Sequence, residues 1–218
     1  MERKIEGIIF DMDGVLLDTE SLCLETWILA GKESGWTDEK ISRIYAECLG
    51  TNKNDTKRIL AENLGGKNEA EFFMDRTSQF FAELERKKGI KKMFFAAEAL
   101  KSLKKKGYRL SLASSTRKEA VERQMKNAGL FDFFETVTTG DQVEHSKPHP
   151  EIYRIACTSL SLPPEKCAAV EDSPNGILSA KNAGLFTVMI PDKIQPSEEI
   201  LKNTDILCSS LKEAEEKF

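Results

Sequence analysis

The sequence predicts a doubly wound α/β fold, a parallel sheet with helices on both faces, carrying an all-helical module inserted after its first strand. Three observations lead there. Short apolar runs alternate with helical segments through most of the 218 residues, the first run ends in acidic residues, and the stretch from Thr19 to Gly89 interrupts the alternation with helices alone.

The opening run, Ile5 to Phe10, has the pattern of a buried strand whose carboxyl end meets solvent. Four later runs resemble it: Tyr108 to Ala113, Thr136 to Thr138, Cys167 to Val170 and Phe186 to Ile190. Between them lie helical segments closed by glycine, Ala96 to Lys106 before Gly107, Lys118 to Asn127 before Gly129, and Asn175 to Asn182 before Gly184. Strands separated by helices argue for a parallel sheet, because parallel neighbours need a crossover connection. Within Thr19 to Gly89 the apolar spacing gives helices around Leu22 to Ser34, Asp38 to Leu49, Asn54 to Asn63 and Glu69 to Lys87. The expected organisation is therefore a core of residues 1–18 and 90–218 with a helical module of residues 19–89.

Composition narrows the function classes. With 40% apolar and 31% charged residues and a net charge of -4, the chain reads as a soluble globular protein with no electrostatic reason to bind nucleic acid. No apolar stretch approaches the roughly 20 residues that cross a bilayer, so no membrane partner is expected. Met1 to Lys4 are too short a lead to the first apolar run for a signal peptide, and the five scattered cysteines show no zinc or disulfide spacing. A cytoplasmic location is the expectation. Repeats and low-complexity tracts are absent, and Lys104-Lys105-Lys106 suits the solvated end of a helix.

Four places carry the chemistry. Asp11-Met12-Asp13-Gly14 sits at the end of the first strand, where open α/β sheets bind ligands. Residues i and i+2 of an extended segment point the same way, so Asp11 and Asp13 can converge, although an acidic strand-to-loop turn explains the pattern equally. Ser114, Ser115 and Thr116 end a second strand just before a helix and read either as anion receptors or as helix caps. Lys147 stands between Ser146 and Pro148, with Pro150 beyond, in a stiffened loop that fixes its direction unless it is merely solvated. His145 and His149 read as loop or capping residues. Glu171-Asp172 ends another apolar strand, and two acids there repel unless a hard cation such as Mg2+ neutralises them.

Taken in order, Asp11-x-Asp-Gly-Val-x-x-Asp18-Thr19, strand-terminal Ser114, Lys147-Pro148 and Glu171-Asp172-Ser-x-Asn-Gly resemble the four motifs of the haloacid dehalogenase superfamily. The helical insert is similar to the cap of its β-phosphoglucomutase and phosphoglycolate phosphatase-like branch. The resemblance implies a phosphoryl-transfer enzyme in which Asp11 is the nucleophile, Asp13 the general acid and base, and Ser114 and Lys147 the phosphoryl-binding groups, with Ser115 and Thr116 alongside. It also implies Mg2+ held by Asp11, the Asp13 carbonyl and Asp172, with Glu171 assisting. The presence of Asp13 argues against dehalogenation, since the superfamily's dehalogenases lack that second aspartate.

Substrate identity is expected to come from the cap. Leu49 to Thr56 resembles the family's specificity loop, with Lys53 the candidate contact for a second anionic group; a solvated lysine at a helix start reads the same way. Glu20, Cys23 and Trp27 are candidates to face a cleft, with Trp27 also suited to the cap interior. The expected partner is a small phosphorylated metabolite, the expected assembly a monomer or weak homodimer. The expected reaction is hydrolysis of a phosphomonoester such as a sugar phosphate, with two alternatives: a β-phosphoglucomutase-type mutase, and a phospho-aspartate signalling module of the receiver kind. At the position where mutases of the branch resemble one another in a gating histidine this chain has Cys23. In place of the Pro-rich or Gly-containing turn from cap to core it has Ile90 to Ala97.

Overall fold

Among the described residues, 4–49 and 53–218 of a computed structural model, six parallel strands form one sheet. In chain order, β1 (Gly7–Phe10) leads into α1 (Thr19–Glu33), α2 (Asp38–Cys48), α3 (Lys53–Leu64) and α4 (Lys67–Lys88). Then follow α5 (Ala96–Lys105), β2 (Arg109–Ser114), α6 (Lys118–Asn127), β3 (Thr136–Thr139), α7 (Glu151–Ser159), β4 (Cys167–Glu171), α8 (Pro174–Ala183) and β5 (Phe186–Met189). The chain ends with α9 (Glu198–Lys202), β6 (Ile206–Leu207) and α10 (Leu211–Glu216). It divides into two compact units, Met1–Asp18 with Lys91–Phe218, and Thr19–Ile90. The boundary lies one residue beyond the position expected, because Ile90 groups with the helices before it.

In the first unit the strand order is β3-β2-β1-β4-β5-β6. β1 leads to β2 and β3 on one side, while β4 lies on its other side and leads to β5 and β6, which makes the fold doubly wound. The five longer strands coincide with the apolar runs of the sequence. β6, α9 and α10 are too short to announce themselves by periodicity. Helix ends follow local chemistry: Ser173 caps α8 by accepting from Gly176 N, with Pro174 in its first turn and left-handed Gly184 at its end.

Side chains alternate across the sheet. Ile9 on β1, Ala113 on β2, and Cys167 and Ala169 on β4 pack with Ile152, Tyr153 and Ala156 of α7 and Ala180 of α8. Ile8, Phe10, Leu110, Leu112, Ala168 and Val170 have the opposite parity and are also fully or almost fully buried. Each of the isoleucine, leucine, valine and phenylalanine side chains among these contributes roughly 1.5–3 kcal/mol relative to exposure.

Among the described residues, the second unit is four helices around Ala30, Ile41, Ile44, Leu60, Ala70 and Phe73. Trp27 stands edge-on to Phe73 at 5.3 Å and to Tyr45 at 5.0 Å, so its ring belongs to the unit's interior.

At the segment Ile90 to Ala97, Asp18 N donates to Lys91 O at 2.9 Å and Met93 N to Leu16 O at 2.9 Å. Phe95 takes the left-handed conformation, φ 67, as it enters α5. A phenylalanine thus occupies a backbone position that glycine adopts without strain.

Candidate active site

The carboxyl ends of β1, β2 and β4 meet at the point where the strand order reverses. Gly7, Ile9 and Asp11 share one direction, as do Cys167, Ala169 and Glu171. Since Ile9, Cys167 and Ala169 pack on α7, the same alternation carries Asp11 and Glu171 to the end of that face.

Lys147 joins them. Its ammonium donates to Asp11 Oδ1 at 2.5 Å, to Glu171 Oε1 at 2.6 Å and to the Ala113 carbonyl at 3.2 Å, which uses all three of its N–H groups. It also lies 5.2 Å from the centre of the Tyr153 ring. Lys147 is fixed from outside by its loop: His149 N donates to Ser146 O at 3.0 Å, and Ser179 Oγ of α8 donates to His149 O at 2.7 Å. The Lys147–Pro148 peptide is cis.

Glu171 has further partners. The buried Tyr153 hydroxyl donates to Oε1, and Ser173 Oγ donates to Oε2 at 3.3 Å. The α8 backbone comes so close that a Cβ on Gly176 would lie 2.0 Å from the carboxylate carbon, so only glycine fits there. Asp13 turns elsewhere: Ser114 Oγ and Thr116 Oγ1 donate to its Oδ2 at 3.2 and 3.1 Å. Thr116 N in turn donates to Ser114 Oγ at 3.1 Å.

The capping alternative for these hydroxyls fails. Arg117 holds the N-cap position of α6 without a side-chain bond, and Lys118 N is accepted by Asp141 Oδ1 at 3.0 Å. Ser115 is exposed. The Asp13 carboxylate is the group that the strand-end hydroxyls hold.

The charges do not balance. Oxygens of Asp11, Glu171 and Asp172 lie within 4.8 Å of one another, and Lys147 is the ammonium bonded among them. Burial pushes the Asp11 carboxyl up to about 8; the Lys147 ammonium pulls it down, and the charges of Glu171 and Asp13 push it up. Burial, with the charges of Glu171 and Asp11, drives Asp172 well above the usual carboxylate range. Burial alone would lower the Lys147 ammonium, but Asp11 and Glu171 outweigh it and raise it. A hard divalent cation among these oxygens would oppose the carboxylate shifts by favouring the charged forms, and an oxygen-only donor set suits one. Gly14 makes room for Asp172: at φ +75 its missing Cβ would stand 2.3 Å from Asp172 Oδ2.

In the second unit, Cys23, Glu20, Trp27, Tyr45 and Cys48 are among the residues lining a cavity of about 230 Å3. Tyr45 donates its hydroxyl to the Glu20 carboxylate. Gly50, Thr51 and Asn52 of the expected specificity loop lie outside the described residues, as does the side chain of Lys53.

Tyr153 escapes sequence reasoning. Three residues past Pro150, at a position with core periodicity, it reads as an interior aromatic, and only the fold puts its hydroxyl on Glu171. The Ala113 carbonyl is likewise invisible to residue type.

Comparison with known proteins agrees with this arrangement. The sequence profile of the haloacid dehalogenase-like hydrolases matches residues 8–190. A phosphorylated carbohydrates phosphatase of Thermotoga maritima is 37% identical over 188 residues, 83% of this chain and 82% of its own. The crystal structure of CbbY from Rhodobacter sphaeroides in complex with phosphate is 30% identical, with a TM-score of 0.74 and 96% of both chains covered. A mutant of CbbY in complex with xylulose-(1,5)bisphosphate is 29% identical, again with a TM-score of 0.74 and 96% of both chains covered. Among the described residues no helix is long and apolar enough to cross a membrane. With the family profile covering most of its length, the chain belongs to the haloacid dehalogenase-like hydrolases and is an enzyme of their β-phosphoglucomutase and phosphoglycolate phosphatase-like branch.

Proposed function

We propose that this enzyme is a Mg2+-dependent phosphatase that hydrolyses a small phosphorylated metabolite, a sugar phosphate or similar monoester, through an aspartyl phosphate on Asp11. The observation that carries the reading is the buried triad of Asp11, Lys147 and Glu171, joined by contacts of 2.5 and 2.6 Å, beside an Asp13 held on a separate pair of hydroxyls. Two carboxylates at one strand end thereby receive different surroundings and different tasks.

Lys147 engages Asp11 Oδ1, which leaves Oδ2 to attack phosphorus. As the new P–O bond forms, the bond to the leaving alkoxide breaks, and Asp13, entering as the acid, gives that oxygen its proton. Asp13 then takes a proton from water, whose oxygen attacks the aspartyl phosphate, releasing phosphate and restoring Asp11. Ser114 and Thr116 keep Asp13 in place through Oδ2 and leave Oδ1 to carry the proton. Glu171, engaged by Lys147, Tyr153 and Ser173, positions the ammonium, whose charge opposes that developing on the phosphoryl oxygens. Asp11, the Asp13 carbonyl and Asp172 would hold Mg2+ with Glu171 assisting, and the ion would supply charge neutralisation for the phosphoryl group.

The two units divide the work in this reading: residues 1–18 and 91–218 perform the transfer, and residues 19–90 act as a cap that selects the rest of the substrate. Sugar phosphates are favoured because the Thermotoga relative is named for phosphorylated carbohydrates and CbbY was crystallised with a ketose bisphosphate. The test is phosphate release from a panel of phosphorylated metabolites with Mg2+ and with chelator. Release from at least one sugar phosphate that stops on chelation supports the reading; release indifferent to Mg2+ removes the metal from it.

A further inference from the structure

His145 and His149, the chain's only histidines, flank Lys147 two residues away on either side, and neither ring belongs to the site described above. The rings lie tilted against one another, centres 4.5 Å apart at 36°. Both turn the same nitrogen to the same carboxylate oxygen: His145 Nδ1 lies 3.3 Å and His149 Nδ1 3.7 Å from Glu151 Oε2. The loop is folded around Glu151, which accepts from Glu144 N and His145 N at 3.0 Å each. Those backbone bonds explain a carboxylate at the start of α7. They do not require two imidazoles, one from each side of Lys147, to converge on it.

We propose that His145, His149 and Glu151 form a second metal site, one that takes a borderline transition cation such as Zn2+. In a tetrahedral zinc shell with bonds of about 2.0–2.1 Å, ligand atoms stand about 3.3 Å apart. The separations of 3.3 and 3.7 Å to Glu151 Oε2 are already near that value, and one donor atom from each residue falls within 4.8 Å of the others. Two imidazole nitrogens and one carboxylate oxygen suit Zn2+, whereas Mg2+ prefers oxygen alone, so this site and the carboxylate cluster select different ions. Both histidine side chains are exposed, 62% and 48%, which gives an ion free access. Three protein ligands leave a fourth position for water. An ion here ties residue 145 to residues 149 and 151 across Lys147 and stiffens the segment that delivers the ammonium. The inference does not depend on the reaction proposed above.

The experiment titrates Zn2+ into the tag-free chain in excess Mg2+ by calorimetry, and repeats the titration with Co2+, following visible absorption. One Zn2+ per chain and the intense bands of tetrahedral Co2+ are expected, with a rise in Tm on adding Zn2+. The double variant His145→Ala with His149→Ala, its fold checked by circular dichroism, should bind Zn2+ more than about 100-fold more weakly, since even outer-shell changes cost about 10–100-fold. Asp172→Ala should bind it as the unsubstituted chain does. Failure of the unsubstituted chain to bind, affinity in the double variant within about twofold of it, or loss in Asp172→Ala alone would each overturn the proposal.

Discussion

The ammonium of Lys147 lies 2.6 Å from Glu171 Oε1, with the two side chains 8% and 0% exposed. Neither charge faces solvent, so each depends on the other. Removing one partner of a buried pair costs about 3–5 kcal/mol. Lys147→Ala should therefore lower Tm and, by leaving phosphoryl charge unopposed, reduce kcat and raise KM as well. Steady-state kinetics beside thermal melts decide the matter. A lower Tm with unaltered kinetics would confine Lys147 to the fold.

Stability should fall with pH in chelator. The Asp11 carboxyl rises from its ordinary value of 3.8 to about 8, and Asp172 rises in the same direction. A carboxyl whose folded value is raised stabilises fully below its unfolded value, and that contribution is lost as pH climbs toward the folded one. Melts in chelator between about pH 5 and pH 8 should show Tm falling, while added Mg2+ restores more stability at the upper end. A gain from Mg2+ that is equal at both ends contradicts this electrostatic account.

Gly14→Ala should damage the metal requirement before the fold. A methyl at this position would meet Asp172 Oδ2 at 2.3 Å, on a backbone with φ +75. The strain costs about 1 kcal/mol, whereas displacement of Asp172 should raise the Mg2+ concentration for half-maximal activity about tenfold. Asp172→Ala should raise it further. An unchanged Mg2+ dependence in both variants would show that Asp172 is not a ligand.

The hydrolase reading separates from the mutase reading at Cys23. A thiol is a poor substitute for imidazole in hydrogen bonding, so gating of the mutase kind should be weak. Supplied with β-glucose 1-phosphate, a trace of glucose 1,6-bisphosphate and Mg2+, the enzyme should give little glucose 6-phosphate while releasing phosphate from some monoester. Efficient conversion without net phosphate would reassign it as a mutase and leave Asp11 and Asp13 in their roles.

Five strands were legible as apolar runs, and three of them announced the site by ending in polar residues, as Phe10 gives way to Asp11, Ala113 to Ser114 and Val170 to Glu171 and Asp172. Alternation even indicates which face each carboxylate takes. What could not be read was long-range partnership. Lys147 meets Asp11 across 136 residues, and Tyr153 supports Glu171 from a helix where an aromatic reads as core. Thr116 was legible as a hydroxyl near the site, but its bond to Asp13 depends on how β1 and β2 align. β6, with two residues, carries too little pattern to identify.

In the proposed reaction Asp11 becomes phosphorylated, and Asp11→Asn removes that step. The amide keeps the size of the carboxylate and the fold around it but is a poor nucleophile and a weaker metal ligand. With the best sugar phosphate of the panel and saturating Mg2+, phosphate release by this variant should fall by more than about a thousandfold, a loss of about 4 kcal/mol in transition-state stabilisation. Turnover within about tenfold of the unsubstituted enzyme would contradict the account.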